Sequence, residues 1–280
     1  MRVCVCGVRG STPAPGSAFV RYGGSTSCLS VADDGDRPRL VIDAGTGLTA
    51  LSRLLDHQPF RGTILLGHLH WDHTHGLPFF PAGGRPESDV TLLMPAQGDA
   101  EAVLARVLSP PHFPITPAQL GGTWRFAGLD EGEHRVECFS VLAREIPHKG
   151  GRTFGYRVSD GQGSFAYLSD HSPTARGPGP AGLGEYHEAA LELAGGVDVL
   201  IHDGQHLAEQ FPGVAYLGHS AVEYAVGLAE QAGAGRLVLF HHDPARTDEE
   251  LDAIVAAHRG GRVPVEAAAE GSVISLPDSR

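Results

Sequence analysis

Residues 68–76 read HLHWDHTHG, which places four histidines and one aspartate within nine positions, immediately after the apolar run 62–67. His68 and His70 leave the end of a predicted strand two positions apart, so in extended backbone their rings point to the same side. Asp72 and His73 follow where the chain should turn. Two same-side imidazoles beside a carboxylate and a third imidazole suit zinc or a similar borderline divalent ion, which takes nitrogen and oxygen ligands. HxHxDH spacing is too concentrated in metal-type residues for an ordinary polar loop.

Later segments repeat the theme, each placing His or Asp just past an apolar run. YLSDH delivers Asp170, LIHDGQH delivers His202 and Asp203, and LFHHDP delivers His241 and His242. His148 in IPHKGG follows another predicted strand after a short irregular stretch. One such residue would be structural more often than not, but a site at one edge of a sheet requires several strands to end this way together. Asp43 ends the apolar run of VIDAGTG and enters Gly-Thr-Gly before a helix, which by itself is a weak signal for a phosphate-cradling turn. Arg9 and Ser11 in GVRGS either face an anionic ligand or, for the arginine, tie down a loop.

The elements that must position these groups alternate between short strands and helices. Strands are predicted at 2–8, 27–32, 39–43, 62–67, 90–94, 135–142, 153–158, 164–169, 197–202, 236–240 and 272–276. Helical periodicity covers 46–56, 98–108, 186–194, 220–232 and 247–258, the last opening on Thr247 with Glu250 at capping-box spacing. Such interspersion implies a layered α/β or α+β domain. The Pro- and Gly-rich stretches 109–123 and 172–184 read as loops beside a site.

Bulk composition narrows the function classes. The net charge is −12, and Lys149 is the only lysine among 21 basic residues. Without a basic run the chain lacks the electrostatic footprint of a protein that grips long nucleic acid, while a small anionic substrate held by metal ions remains compatible. No run of about 18 apolar residues exists to span a bilayer, so no membrane partner is expected. The opening MRVCVCGVRGS has no signal-peptide pattern, which makes a cytoplasmic location the expectation. None of the four cysteines forms a metal-type pair; Cys4 and Cys6 are expected to share one face of a strand and pack as small apolar groups.

HLHWDHTHG resembles the HxHxDHxxG signature of the metallo-β-lactamase fold superfamily, and the downstream segments follow in matching order. The resemblance implies one α/β domain over 1–280: an αβ/βα four-layer sandwich with two mixed β-sheets flanked by helices and a dinuclear metal site along one edge. IPHKGGRTFGYRV, YLSDH, LGHSAVEYAVGLAEQAG and RLVLFHHDP are similar to the ribonuclease Z branch. GVRGSTP, RYGGSTSC, HWDHTHGLPFF and IHDGQH are most similar to its cyclic-nucleotide phosphodiesterase relatives. Position by position, the resemblance implies that His68, His70 and His148 hold one metal. Asp72, His73 and His241 hold the other, Asp170 bridges the two, and Asp43 supports the metal loop. His219 in GHS matches a histidine that lies beside the metals without binding them and serves the leaving oxygen or the phosphate; as a residue of sequence alone it could instead open helix 220–232.

The reading that follows is a hydrolase with two divalent metal ions, Zn2+ by preference with Mn2+ or Fe2+ as options. It acts on a small cyclic nucleotide through a metal-bridging hydroxide, with Asp72 and His219 as catalytic residues, and as a homodimer by similarity to the branch. Two other readings share the fold: a ribonuclease Z-like tRNA 3′-end endonuclease, and a hydrolase of another small ester, lactam or lactone. Ribonuclease Z carries a long basic arm that clamps tRNA, whereas residues 172–196 here are short and acidic. A metal-binding scaffold without activity is the non-enzymatic alternative. His75 is expected at neither metal, and His171 and His242 are expected to orient neighbouring ligands. His57, His112, His134, His187, His206 and His258 are expected on surfaces or loops.

Overall fold

Alternation in the first residues forms β1 (Arg2–Gly7), which turns Val3 and Val5 into the space between two sheets and Cys6 to the opposite face. Cys4 shares the side of Cys6 but stays half-buried, and a bulge between Val5 and Gly7 bends the strand end. The computed structural model describes residues 1–33 and 35–276; position 34 and residues 277–280 of the expected 1–280 span lie outside the described residues. Further strands in the first half are β2 (Cys28–Ala32), β3 (Leu40–Ile42), β4 (Arg61–Leu65), β5 (Asp89–Pro95) and β6 (Thr123–Leu129). The second half supplies β7 (Gly132–Val136), β8 (Phe139–Glu145), β9 (Phe154–Ser159), β10 (Ser164–Leu168), β11 (Val199–Asp203), β12 (Arg236–Phe240), β13 (Val265–Ala267) and β14 (Val273–Ser275).

Among the described residues these make two seven-stranded sheets, ordered β14-β1-β2-β3-β4-β5-β6 and β13-β12-β11-β10-β9-β8-β7. Both are mixed. β3 to β6 run parallel after antiparallel β14, β1 and β2, and β10 to β13 run parallel beside the antiparallel run β7 to β9.

Helices α1 (Leu48–Leu54), α2 (Trp71–Thr74) and α3 (Ala100–Ala105) belong to the first half. Helices α4 (Glu188–Ala194), α5 (Phe211–Val214), α6 (Val222–Ala232) and α7 (Asp248–Ala257) belong to the second. Three apolar clusters show the layering. Val31, Ile42, Tyr156, Phe165 and Phe240 fill the gap between the sheets. Leu48, Leu51 and Leu104 bury α1 and α3 on the outer face of the first sheet, and Leu193, Tyr224, Leu228 and Leu251 bury α4, α6 and α7 on the outer face of the second. The result is the αβ/βα four-layer sandwich with two mixed sheets flanked by helices. No helix among the described residues is long and apolar enough to cross a membrane.

Helix α7 begins as its sequence predicts. Thr247 Oγ1 accepts from the Glu250 amide at 3.3 Å, and Glu250 Oε2 accepts from the Thr247 amide at 2.7 Å. Thr247→Ala removes the first of these bonds, and a cap of this kind contributes about 1 kcal/mol. A urea midpoint lowered to that extent, with unchanged slope, is the expected outcome; an unchanged midpoint would show that tertiary contacts alone hold the start of α7.

Parallel strands deliver their carboxyl ends to one edge, the place where open α/β sheets bind ligands. Asp43 follows β3, His68 follows β4, Asp170 follows β10, Asp203 ends β11 and His241 follows β12. Asp43, Asp170 and His241 all adopt left-handed backbone, with φ of 60°, 56° and 55°. Ser11, on the loop after β1, does the same at φ 61°. Non-glycine residues there are strained, and such strain gathers at functional sites, where it aims a side chain that regular strand geometry would send elsewhere.

Candidate metal centre

The seven residues expected at the metals come together at this edge in two groups. In one, the ligand atoms of His68, His70, His148 and Asp170 all lie within 4.8 Å of one another; in the other, those of Asp72, His73, Asp170 and His241 do so. Asp170 belongs to both, and its two oxygens are divided between them. Oδ1 lies 3.7 Å from His68 Nε2 and 3.6 Å from His148 Nε2, whereas Oδ2 lies 2.9 Å from His73 Nε2 and 3.1 Å from His241 Nε2. One carboxylate oxygen for each group is the arrangement a bridging ligand needs. Asp72 Oδ2 completes the second group at 3.1 Å from His241 Nε2 and 3.3 Å from His73 Nε2.

Within each group, ring nitrogens point at one another. His148 Nδ1 donates to the Gly218 carbonyl at 2.8 Å, so a neutral ring turns the Nε2 lone pair inward, 3.3 Å from His70 Nδ1. His73 Nδ1 donates to Asp43 Oδ2 at 2.7 Å, which turns its Nε2 toward His241 Nε2 at 3.4 Å. His68 Nε2 is buried and has no hydrogen-bond partner. Ring nitrogens converging on one another in a buried setting fit divalent cations, which take the place of protons between such donors.

The electrostatics agree. Burial, aided by neighbouring His73, holds the His68 imidazole well below its usual pKa, and burial lowers His70 and His148, keeping all three neutral. Burial also disfavours charge on the two carboxylates, but His73 and His241 beside Asp72, and His241, His73 and His68 around Asp170, hold both ionised, well below the usual carboxylate range. His73 is the exception among the rings: burial opposes its charge, yet Asp43, Asp170 and Asp72 hold it well above the usual value. A cluster of carboxylates this hungry for positive charge suits metal ions.

Supporting contacts lock the ligands. Asp43 is fully buried and accepts three hydrogen bonds: from the Gly67 amide at 2.7 Å, His73 at 2.7 Å and the Tyr167 hydroxyl at 2.6 Å. Partners of this kind orient a metal ligand, and their loss typically costs 10- to 100-fold in metal affinity. Asp43→Asn is therefore expected to weaken zinc binding to the second group by about that factor, read by competition with a chromophoric chelator; an unchanged affinity would assign Asp43 to folding alone. Gly10 is equally constrained, because a Cβ there would collide with the His241 ring. The Ser11 amide donates at 2.7 Å to Asp72 Oδ2, the same oxygen that faces His73 and His241, and so fixes its position.

His219 stands beside the two groups. It is two positions before the Ala221 N-cap of α6, so it does not cap the helix. Its Nδ1 donates to Asp203 Oδ2 at 3.0 Å and lies 3.7 Å from Asp170 Oδ1. Asp203 is held in turn by the amides of Gln205, His171 and Ser220. Burial opposes a charge on His219, but Asp203 and then Asp170 and Asp72 push its pKa up to about 9. A cavity of about 360 Å³ opens over this edge, lined by Ser11, Leu69, His70, Trp71, Asp72, Asp170 and His219.

Other expectations divide. His75 is exposed and stacks on Trp71, away from both groups. Arg9 does not face a ligand: fully buried, it donates to the carbonyls of Gly23, Asp243 and Arg246, tying the amino-terminal loop to the loop after β12. His242 turns from the cluster to the Ala268 carbonyl at 2.9 Å and packs on Tyr22. His206 is buried beside His219 rather than on the surface, and His187 pairs with His171 at 2.7 Å. His171 also meets His202 at 3.0 Å. The sequence pointed to Asp203 only as a strand-end residue; its pairing with His219 spans a 16-residue separation that no local pattern encodes.

Comparison with known proteins agrees with the fold. Residues 38–242 match the beta-lactamase superfamily domain. Ribonuclease Z of Geobacillus kaustophilus is 26% identical over 260 residues, covering 76% of this chain and 80% of its own. Among solved structures, the metallo-β-lactamase fold protein YhfI from Bacillus subtilis superposes with a TM-score of 0.71 at 18% identity, covering 98% of this chain and 99% of its own. A diphosphatase from the PhnP family superposes with a TM-score of 0.70 at 19% identity, covering 99% and 98%. With its two mixed sheets and its cluster of metal-type ligands at the strand ends, the chain belongs to the beta-lactamase superfamily, as a metal-dependent hydrolase of the metallo-β-lactamase fold.

Proposed function

We propose that this hydrolase is a dinuclear phosphodiesterase that cleaves a small cyclic nucleotide to a nucleoside monophosphate. The observation that carries the reading is Asp170, whose two oxygens face two separate ligand groups. His68, His70 and His148 would hold one divalent ion, Asp72, His73 and His241 the other, with Zn2+ the best match to this nitrogen-rich set. A pair of ions so placed activates water and braces the charge that develops on phosphorus oxygens. The chain's own part begins with His219, charged and aimed by Asp203, which donates a proton to the leaving oxygen. Asp72, fixed by the Ser11 amide, orients the attacking water as well as its metal.

A small substrate is supported by the segment where an RNA-clamping arm would be expected. Residues 172–187 fold flat in two 3-10 turns, Pro173–Arg176 and Pro180–Gly182. Tyr224 Oη donates to the Glu185 carbonyl at 2.9 Å, Tyr186 packs on Tyr224 and His187 pairs with His171, so the segment lies against α6. Arg176 is its one basic residue. The second reading, a tRNA 3′-end endonuclease, is favoured by the similarity to ribonuclease Z.

One substrate panel separates the two. Metal-loaded protein is expected to hydrolyse 3′,5′- or 2′,3′-cyclic nucleotides and bis(p-nitrophenyl) phosphate faster than it trims a precursor tRNA. If the cyclic nucleotides stay intact while the tRNA is cleaved, the second reading holds. The proposal also includes a homodimer in the cytoplasm, checked by light scattering and by fractionation of the source cells.

A further inference from the structure

Beside the ligand groups lies a second, larger cavity of about 650 Å³ that the phosphodiesterase reading leaves unused. Its walls come from Trp71 at the start of α2, Leu77 and Phe79 in the turn after it, and Val107, Leu108 and Phe113 in the segment after α3. None of its lining residues is Asp, Glu, Lys or Arg; the polar groups are the two threonines 46 and 74 and the imidazoles of His75 and His112. Its volume lies within the range of small-molecule sites, about 300 to 1,000 Å³, and its apolar lining with a few polar groups is of the same kind.

Trp71 joins this cavity to the catalytic edge, since the same side chain lines both spaces and sits between His70 and Asp72. The indole packs one face on His75, with ring centroids 5.5 Å apart at 16°, yet 63% of the side chain stays exposed. Phe79 and Val107 are also 58% and 41% exposed. These are large apolar groups left open beside the proposed phosphate site. A second phosphate of a polynucleotide would find no cation here, whereas a planar uncharged group would find an aromatic wall.

We propose that this cavity is the subsite for an aromatic group of the substrate, a nucleobase or an aryl ester, which stacks on Trp71 while the attached phosphodiester lies at the metal edge. The inference rests on the phosphodiesterase reading but has its own readout. Stacking of a base on an aromatic side chain changes affinity about 10- to 100-fold, so the subsite makes the chain select for what the phosphate carries as well as for the phosphate.

Trp71 and Trp124 are the two tryptophans. In Trp124→Phe protein, Trp71 fluorescence is expected to be quenched saturably by adenosine, which has no phosphate, with or without Zn2+. Val107→Asp, at an exposed position, is expected to abolish the quench. In kinetics, the expected preference for 3′,5′-cyclic AMP over the base-free ribose cyclic phosphate is about tenfold or more in kcat/KM, and Val107→Asp is expected to erase it. No quench and no preference, with both cyclic phosphates hydrolysed, would overturn the subsite and leave the phosphodiesterase intact. A quench with neither compound hydrolysed would leave the subsite standing and overturn the activity. If Val107→Asp instead splits a dimer without changing quench or preference, the cavity is an interface between copies of the chain and the inference is wrong.

Discussion

Asp170→Asn is expected to lower phosphodiester hydrolysis by about 10³-fold, because metal ions supply several kcal/mol of charge stabilisation and each tenfold in rate is worth about 1.4 kcal/mol. The side chain keeps its shape but loses its negative charge and offers only one acceptor oxygen. Native Asp170 places Oδ1 against His68 and His148 and Oδ2 against His73 and His241, so the change strikes both groups at once. Zinc content after dialysis should fall below two equivalents, measured by mass spectrometry on the same sample used for rates. A variant that holds two equivalents and turns over at the native rate would show that Asp170 does not bridge.

His219→Ala should be nearly as damaging by a different route. General acid catalysis contributes about 10²- to 10⁴-fold, and the contribution is largest when the leaving oxygen is a poor one. A cyclic nucleotide, which expels a ribose alkoxide, should therefore lose far more rate than bis(p-nitrophenyl) phosphate, whose phenolate leaves without a proton. Two equivalents of zinc should remain bound. Asp203→Asn should reproduce part of the loss, since it removes the carboxylate that aims His219 and pushes its pKa up to about 9. Loss of a metal equivalent on His219→Ala would contradict this assignment and make His219 a ligand, a geometry that its grouping with Asp203 and His241 permits.

What the sequence revealed of this site follows from how local each signal was. His68, His70, Asp72 and His73 stand within one motif, and Asp170 and His241 come at the ends of short apolar runs, 165–168 and 237–240, that read as strands. The supporting shell is less visible. Nothing adjacent in the chain tells that Gly10 must be small, but the His241 ring lies where its Cβ would be. Arg9 is ambiguous in sequence for the same reason: two of its three carbonyl partners, those of Asp243 and Arg246, lie more than 230 residues away.

The fold shows a similar division. Strands with strong apolar runs appear near their predicted places, whereas β6 and β13, at opposite ends of their respective sheets, escape. β6 alternates weakly and is largely exposed, and β13 is three residues long. The predicted strand 135–142 is two strands, β7 and β8, joined by a hairpin whose paired ends are Val136 and Phe139. Its turn puts Glu137 at φ 54°, where turn signals favour glycine or asparagine, so composition gave no warning. Short α2 likewise hides inside the histidine motif, where ligand spacing masks helical periodicity.

Two ions working together should give this hydrolase its activity, and a metal titration tests that most directly. Protein stripped with a chelator is titrated with Zn2+ while hydrolysis of bis(p-nitrophenyl) phosphate is followed. Negligible activity in the stripped protein, rising to a plateau at two equivalents, is the result the structure leads us to expect. Full activity at one equivalent, or a stripped protein that hydrolyses the substrate at the native rate, would contradict it.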